Sequence, residues 1–277
     1  MDSSLLERYF ARIGYGGPTP PTVDTLHALA LAHACAVPFE NLDPWLGRPV
    51  SLRLDDVVAK LVLGGRGGYC FEQNGLMLEV LDALGFRVTP LSARVRVQRP
   101  RDYTPPRTHL FVRVDLADGP WLVDVGVGGL SVTAALRWTP DVVQDTPHEA
   151  RRFVVDDGRW FHQVRLGDTW ADVCEFTGEA MPPIDREVAN WYTSTHPASS
   201  FRTRLVAARA TPDGGRRTLA DRLYTVRDAD GVATVARLDA EDALRRVLTD
   251  AFGLTVPPGP IPMPPSPPDP ALASARG

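Results

Sequence analysis

The sequence predicts an α+β fold with a helical first part, a barrel-like antiparallel β region and a last part that mixes strands with a helix. Before Gly85, apolar residues recur at the three- and four-residue spacing of helices. After Gly85, the pattern changes to the alternation typical of strands, with Asp118-Gly119 and Asp157-Gly158 as hairpin turn signals. Beyond residue 200, short alternating segments precede one more helical stretch.

Composition restricts the class of protein. The chain has 277 residues, with 44% hydrophobic and 23% charged residues, which are ordinary values for a globular protein of more than one domain. A net charge of −4 argues against a broad nucleic-acid surface, and no apolar run is long enough to span a membrane. The first residues lack signal-peptide character, and three cysteines are too few for a disulfide framework. We therefore expect a cytoplasmic protein without a metal site.

The helical spacing assigns each helix to a stretch that ends at glycine, proline or a change of period. A proline-dense tail at 256–277 cannot bury enough surface to order itself and is predicted to be disordered. The predicted helices are 5–13, 22–36, 54–63, 71–84, 185–193 and 239–252. The predicted strands are 87–88, 92–97, 109–114, 121–125, 153–155, 160–164, 205–210, 221–226 and 232–235.

Cys70 is the candidate nucleophile. It follows Gly67 and Gly68, which allow a tight turn, and it precedes the predicted helix from Phe71. Free backbone N–H groups and the positive end of the helix dipole at this junction favour the thiolate form of a cysteine. Cys35 and Cys174 lack such a setting and are predicted to be buried packing residues.

A thiolate nucleophile needs a base and a group that orients the base. His109 begins one predicted strand and Asp124 ends the next, so the two can meet at one sheet edge if the pairing has a bulge or an offset. The alternatives are a strand histidine paired with water or backbone, and a carboxylate that only initiates a turn. Glu40 is either a surface charge or a partner of Arg66.

A glycine-rich loop follows Asp124 at 125–129. Its bare backbone around Gly126, Val127 and Gly128 can lie against a phosphate or pantetheine chain, although Gly-x-Gly-Gly by itself is a weak signal.

Several blocks of this chain, in order, resemble the arylamine N-acetyltransferase family. The most specific is Arg-Gly-Gly-Tyr-Cys-Phe-Glu-Gln-Asn around Cys70, and the match covers most of the chain to about residue 200. The matching blocks are 9–15, 37–42, 66–74, 108–109, 123–126 and 190–197.

The resemblance implies a helical domain at 1–85, a β-barrel domain at 86–200 and an α/β lid at 201–255. It also implies a Cys-His-Asp arrangement like that of thiol proteases, with Cys70 as nucleophile, His109 as base and Asp124 as orienting group, and a structural ion pair of Arg66 with Glu40. The family commonly has an aromatic residue in the acceptor pocket at the position where this chain has Val127. The chain therefore departs here from the family pattern that accompanies the usual arylamine preference.

The implied reaction is ping-pong transfer of an acetyl group from acetyl-CoA, through an acetyl-cysteine, to an arylamine, hydrazine or N-hydroxyarylamine. Acetyl-CoA is then a co-substrate, with no permanently bound cofactor. Three alternatives stay open: an amide synthase of antibiotic biosynthesis that uses the same residues on a carrier-bound acyl chain, a thiol hydrolase or transglutaminase-like enzyme, and a binding protein that keeps the fold.

Overall fold

The computed structural model describes residues 1–265, and the first part of this range is helical as predicted. The first helix starts after Asp2, whose side chain accepts a hydrogen bond from the backbone N–H of Leu5, and it ends at Gly14 in the left-handed region (φ 66°). The helices are α1 Ser3–Ile13, α2 Val23–Ala36, α3 Leu42–Trp45, α4 Leu54–Val57, which a π-helical turn Val58–Leu63 continues, and α5 Cys70–Ala83.

The middle part forms an antiparallel sheet that curls into a nearly closed barrel. Bridges from Pro140 to Phe153 and from Gln144 to Arg151 draw its two edges together. The strands are β2 Arg87–Val95, β3 His109–Leu116, β4 Gly119–Val123, β5 Leu136–Arg137, β6 Arg151–Asp156, β7 Arg159–Leu166 and β8 Thr169–Phe176, in the order β5-β4-β3-β2-β8-β7-β6.

Of the two predicted hairpin turns, the structure has one at the predicted residues and the other displaced by one residue. Asp157 and Gly158 both have positive φ (49° and 71°) and join β6 to β7, as the sequence signal predicts. Between β3 and β4, Leu116 pairs with Gly119, so Ala117 and Asp118 form the turn and the prediction is displaced by one residue.

A second sheet makes the lid, and it includes a strand from the helical domain. Its strand order is β1-β9-β10-β11-β12, and β1 (Phe39–Glu40) pairs with Ala208 and Ala207 of β9. The predicted boundary at residue 201 therefore separates segments that share one sheet. The remaining elements are α6 Pro183–Thr195, α7 Ser200–Thr203, β9 Val206–Ala210, β10 Arg216–Ala220, β11 Leu223–Arg227, β12 Ala233–Arg237 and α8 Glu241–Arg246, which a π-helical turn Val247–Ala251 continues.

The beginning of the proline-dense tail packs against the lid, so the prediction of disorder from residue 256 is wrong for 256–265. Ile261 is only 1% exposed and lies in the core of the lid. Trp45 Nε1 donates to the carbonyl oxygen of Pro262 at 3.0 Å, and Arg222 Nε donates to that of Pro264 at 2.6 Å. Prolines keep their acceptors although they lack donors. Residues 266–277, the rest of the predicted tail, lie outside the described part.

Candidate active site

Cys70 is the first residue of α5, at the junction that the sequence predicts. Glu72 helps to start the helix because its Oε2 accepts the backbone N–H of Tyr69 at 3.1 Å. Cys70 is buried, with 5% of its surface exposed, and its Sγ lies 3.6 Å from the carbonyl oxygen of Thr108. The thiol therefore sits beside the residue that precedes His109.

The turn before Cys70 needs glycine because of a close backbone approach, since Gly67 is outside the left-handed region. A Cβ on Gly67 would lie 2.0 Å from the carbonyl oxygen of Pro38. Next to this contact, the backbone N–H of Glu40 donates to the carbonyl oxygen of Gly68 at 3.1 Å. The 38–40 segment thereby fixes the path of the chain into α5, the helix that begins at Cys70.

A buried charge cluster lies under the same turn. Arg66 Nε donates to Glu40 Oε1 at 2.8 Å, and Lys60 Nζ lies 2.6 Å from both Asp43 Oδ2 and Glu72 Oε1. Burial raises the pKa of Glu72 to about 6, although the Lys60 charge opposes this shift. The structure thus places Arg66 on Glu40 and adds Lys60, Asp43 and Glu72, which the sequence prediction had not assigned to this cluster.

His109 and Asp124 meet without a bulge. The pairing of Val112 with Val123 continues to Asp124 opposite Phe111, so His109 is the diagonal neighbour of Asp124 on the same face. His109 Nε2 donates to Asp124 Oδ2 at 2.8 Å, and the ring of His109 stacks on Phe111 at 6.2 Å. The structure thus uses an offset and no bulge, one of the two options that the sequence argument leaves open.

The electrostatics of this pair favour an imidazolium beside a carboxylate. Burial alone would lower the pKa of His109, but the charge and hydrogen bond of Asp124, and then Cys70, raise it to about 10. Burial would raise the pKa of Asp124, but His109 and Asn74 outweigh it and hold that pKa below its usual value. His109 Nδ1 is buried without a hydrogen-bond partner, so it is available to a proton from Cys70.

Asn74 is a site residue that sequence reasoning missed. Its Nδ2 donates to Asp124 Oδ1 at 2.9 Å and to the carbonyl oxygen of Leu110 at 2.6 Å, and its Oδ1 accepts the backbone N–H of Val125 at 2.9 Å. It lies four residues after Cys70 on α5, so one face of the helix carries both groups. That spacing is the signal by which it could have been found.

The glycine-rich loop packs tightly against Cys70. A Cβ on Gly126 would lie 2.8 Å from the Cα of Cys70. Gly128 has φ 87°, and the ring of Phe39 lies beside it. Val127, which lies between Gly126 and Gly128 in the sequence, is half-buried. Gly126 is thus packed against Cys70, whereas Val127, Gly128 and Gly129 are the partly exposed residues of this loop.

The other cysteines and histidines are packing residues, and two of them, Cys174 and His162, line a small cavity together with Asp124. All three cysteines are free, and burial raises the pKa of the Cys174 thiol well above its usual value. His33 is buried between Tyr9 and Gln73. His162 is buried on β7, within the strand predicted at 160–164, and burial and Arg151 lower its pKa to about 3.

Within residues 1–265, histidine, cysteine, aspartate and glutamate form no group of three or more that could hold a metal ion. In the same range, every helix is too short or too polar to cross a membrane.

The site combines a buried cysteine at a helix N-terminus with a nearby histidine that is hydrogen-bonded to an aspartate. Enzymes that transfer acyl groups through a cysteine have this arrangement. The family model described as N-acetyltransferase matches residues 22–259. The chain belongs to this family, that of the arylamine N-acetyltransferases.

Relatives from mycobacteria support the assignment. The arylamine N-acetyltransferase of Mycobacterium tuberculosis is 44% identical over 255 residues, which cover 91% of this chain and 89% of that protein. Its solved structure superposes with a TM-score of 0.87 over 91% of this chain and 94% of that one. The Mycobacterium marinum enzyme in complex with CoA is 40% identical, with a TM-score of 0.86 over 90% and 92% of the two chains.

Proposed function

We propose that this acetyl-CoA-dependent arylamine N-acetyltransferase works by a ping-pong mechanism through acetyl-Cys70. The observation that carries the proposal is the hydrogen bond from His109 Nε2 to Asp124, which leaves Nδ1 as the base beside the cysteine. The acceptor is an arylamine, hydrazine or N-hydroxyarylamine. We also propose a cytoplasmic location, since a free thiol nucleophile is suited to a reducing compartment.

In the first half-reaction, the Cys70 proton passes to His109 Nδ1. The resulting imidazolium is stabilised by the Asp124 carboxylate, which Asn74 and the backbone N–H of Gly126 hold in place. The thiolate attacks the thioester carbonyl carbon of acetyl-CoA, and the C–S bond to CoA breaks as the bond to Sγ forms. The departing CoA thiolate takes the proton back from His109.

In the second half-reaction, the amine attacks the acetyl-cysteine while His109 accepts the amine proton. The amide leaves, and the Cys70 thiolate is restored beside the imidazolium. Because Cys70 is buried, few water molecules reach the acetyl-cysteine, and transfer to an amine is favoured over hydrolysis. Val127 and Gly128, the half-buried part of the glycine-rich loop, are proposed to line the path of donor and acceptor.

The test is the mass of the intact protein after brief mixing with acetyl-CoA and no amine. We expect one added acetyl group, mapped to Cys70 and removed by an added arylamine or hydrazine. Cys70→Ala should gain no acetyl group. If that variant is still acetylated, Cys70 is not the nucleophile. If the wild type gains nothing while Cys70 still reacts with iodoacetamide, the nucleophile is active but acetyl-CoA is not its donor.

A further inference from the structure

A cavity of about 240 Å³ lies outside the barrel core, on the opposite face of β2 from the catalytic histidine. Ala93 pairs with His109 and is buried in the barrel. Since side chains alternate along a strand, Arg94 points to the other face, where it lies beside Glu175 of β8. The cavity is lined by Arg94, Thr104, Arg107, Arg159, Glu175 and Thr177, together with the ring of Phe176.

The wall of this cavity carries more positive than negative charge. Glu175 is the carboxylate of the wall, and three arginines share it. Arg96 is buried behind the wall and forms the shortest contacts with Glu175, because its Nε and Nη2 both donate to Glu175 Oε2. Arg94 and Arg159 are left at 3.6 and 3.5 Å from the carboxylate.

Arg96 also holds the loop between β2 and β3 (residues 96–108), which covers the cavity and is called the covering loop below. Its Nη1 donates to the carbonyl oxygens of Pro100 (2.6 Å) and Tyr103. Arg94 donates to the carbonyl oxygen of Pro105. The loop is therefore held by partly buried hydrogen bonds within the protein, and this preorganisation lowers the entropic cost of binding.

The geometry points to a binding site for an organic phosphate. Guanidinium groups bind phosphate oxygens through paired N–H groups, and the hydroxyls of Thr104 and Thr177 add two more donors. A cation would be repelled by Arg94, Arg107 and Arg159. Each of these arginines already has one acceptor, namely Glu179 for Arg107, Glu175 for Arg159 and the carbonyl oxygen of Pro105 for Arg94. An apolar ligand would cover their remaining N–H groups without satisfying them.

The phosphate can come from two sources, which share this chemistry. The covering loop ends at Thr108, whose carbonyl oxygen contacts Cys70. The nucleotide end of acetyl-CoA, joined to its thioester by a long flexible arm, is therefore one source, and this possibility rests on the proposed function. The other source is a separate nucleotide that binds without taking part in acetyl transfer.

Binding of adenosine 3′,5′-bisphosphate to the full chain, measured by isothermal titration calorimetry, tests the site. The double variant Arg94→Gln/Arg159→Gln removes two guanidinium groups and should weaken binding by about 10- to 100-fold. Arg165→Gln, on the same strand as Arg159 but outside the cavity, is the matched control and should bind as the wild type does. Thermal unfolding of all variants shows whether each is folded.

Kinetics with two donors distinguish the sources. p-Nitrophenyl acetate is an acetyl donor without phosphate. If the cavity holds the nucleotide end of acetyl-CoA, the double variant should lower the ratio of kcat/KM for acetyl-CoA to kcat/KM for p-nitrophenyl acetate by at least about tenfold. If bisphosphate binding is weakened but this ratio stays at the wild-type value, the site serves a separate nucleotide.

Absence of bisphosphate binding to the wild type, or equal binding to the wild type and the folded double variant, would overturn the inference. Failure of the proposed mechanism has a different signature, since it appears as a missing acetyl group on Cys70 and does not alter bisphosphate binding.

Discussion

Replacing Asp124 with asparagine should disable Cys70 without changing the shape of the site. The side chains have nearly the same size, and the amide oxygen of the new side chain could still accept from Asn74 and Gly126. The amide nitrogen would stand where Asp124 Oδ2 now accepts from His109 Nε2. Because two donors cannot face each other, Nε2 must give up its proton, and the neutral ring then carries its proton on Nδ1. Nδ1 can no longer take a proton from Cys70.

The magnitude follows from the pKa of His109. Asp124 is the main cause of the rise from 6.5 to about 10, which corresponds to roughly 5 kcal/mol of preference for the imidazolium. Without the carboxylate, only the smaller contribution of Cys70 opposes burial, and we expect the ring to be neutral at pH 7. We expect alkylation of Cys70 by iodoacetamide at pH 7 to slow by up to about 10³-fold, with a similar loss of acetyl transfer.

The assay is the alkylation rate of Cys70 between about pH 5 and 9, with Asp115→Asn on the same strand as His109 as the matched control. Stability gives a second readout. The raised pKa of His109 stabilises the fold fully below about pH 6.5, and this contribution is lost as pH rises toward 10. The wild type should therefore lose more stability than Asp124→Asn over that interval. A variant with the wild-type alkylation profile would refute the role of Asp124.

Other substitutions test the surroundings of the site. Arg66→Gln leaves the buried Glu40 carboxylate unpaired, so unfolding in urea should show a loss of about 3–5 kcal/mol; an unchanged midpoint would show that the pair adds no net stability. Gly126→Ala puts a methyl carbon 2.8 Å from the Cα of the nucleophile, so acetyl transfer should fall at least ~10-fold. Gly75→Ala, a control with open space around it, should keep activity and gain ~0.5–1 kcal/mol. Burial opposes the low pKa of Glu149, but its arginine partners lower it to about 2. Its contribution is present above pH 4.5 and is lost as pH falls toward 2, so Glu149→Gln should lose less stability than the wild type on acidification; identical acid-unfolding curves would contradict this account.

Local patterns were enough to predict most of the fold. The helix at Cys70 was predicted because glycines, a helix start and apolar spacing all coincide there. β8 was not predicted, because Asp172 and Glu175 interrupt its alternation. The structure tolerates Glu175 in a buried position because Arg96, the residue after β2, donates to it, and a contact between distant segments leaves no local trace in the sequence.

The candidate site was predictable only where chemistry identifies the residue. Cys70, His109 and Asp124 stand out in the sequence because they lie at the ends of predicted elements. The family resemblance then assigned them to one site. Asn74 looks like any polar helix residue until the fold places it between Asp124 and Leu110. The ordered structure of 256–265 could not be predicted for a similar reason. It depends on proline carbonyl oxygens that accept hydrogen bonds from Trp45 and Arg222, and no local sequence pattern predicts such contacts.

The pairing of β1 with β9 has a consequence for biosynthesis. β1 supports the turn before Cys70, but its partner Ala208 is translated only after the whole barrel. While the ribosome is still making the barrel, the turn lacks that support, and closing so long a loop is among the slower steps of folding. A chain that stops near residue 200 contains Cys70, His109 and Asp124 but lacks the strand that pairs with β1. We therefore expect the turn before Cys70 to be held less firmly in such a chain than in one that includes β9.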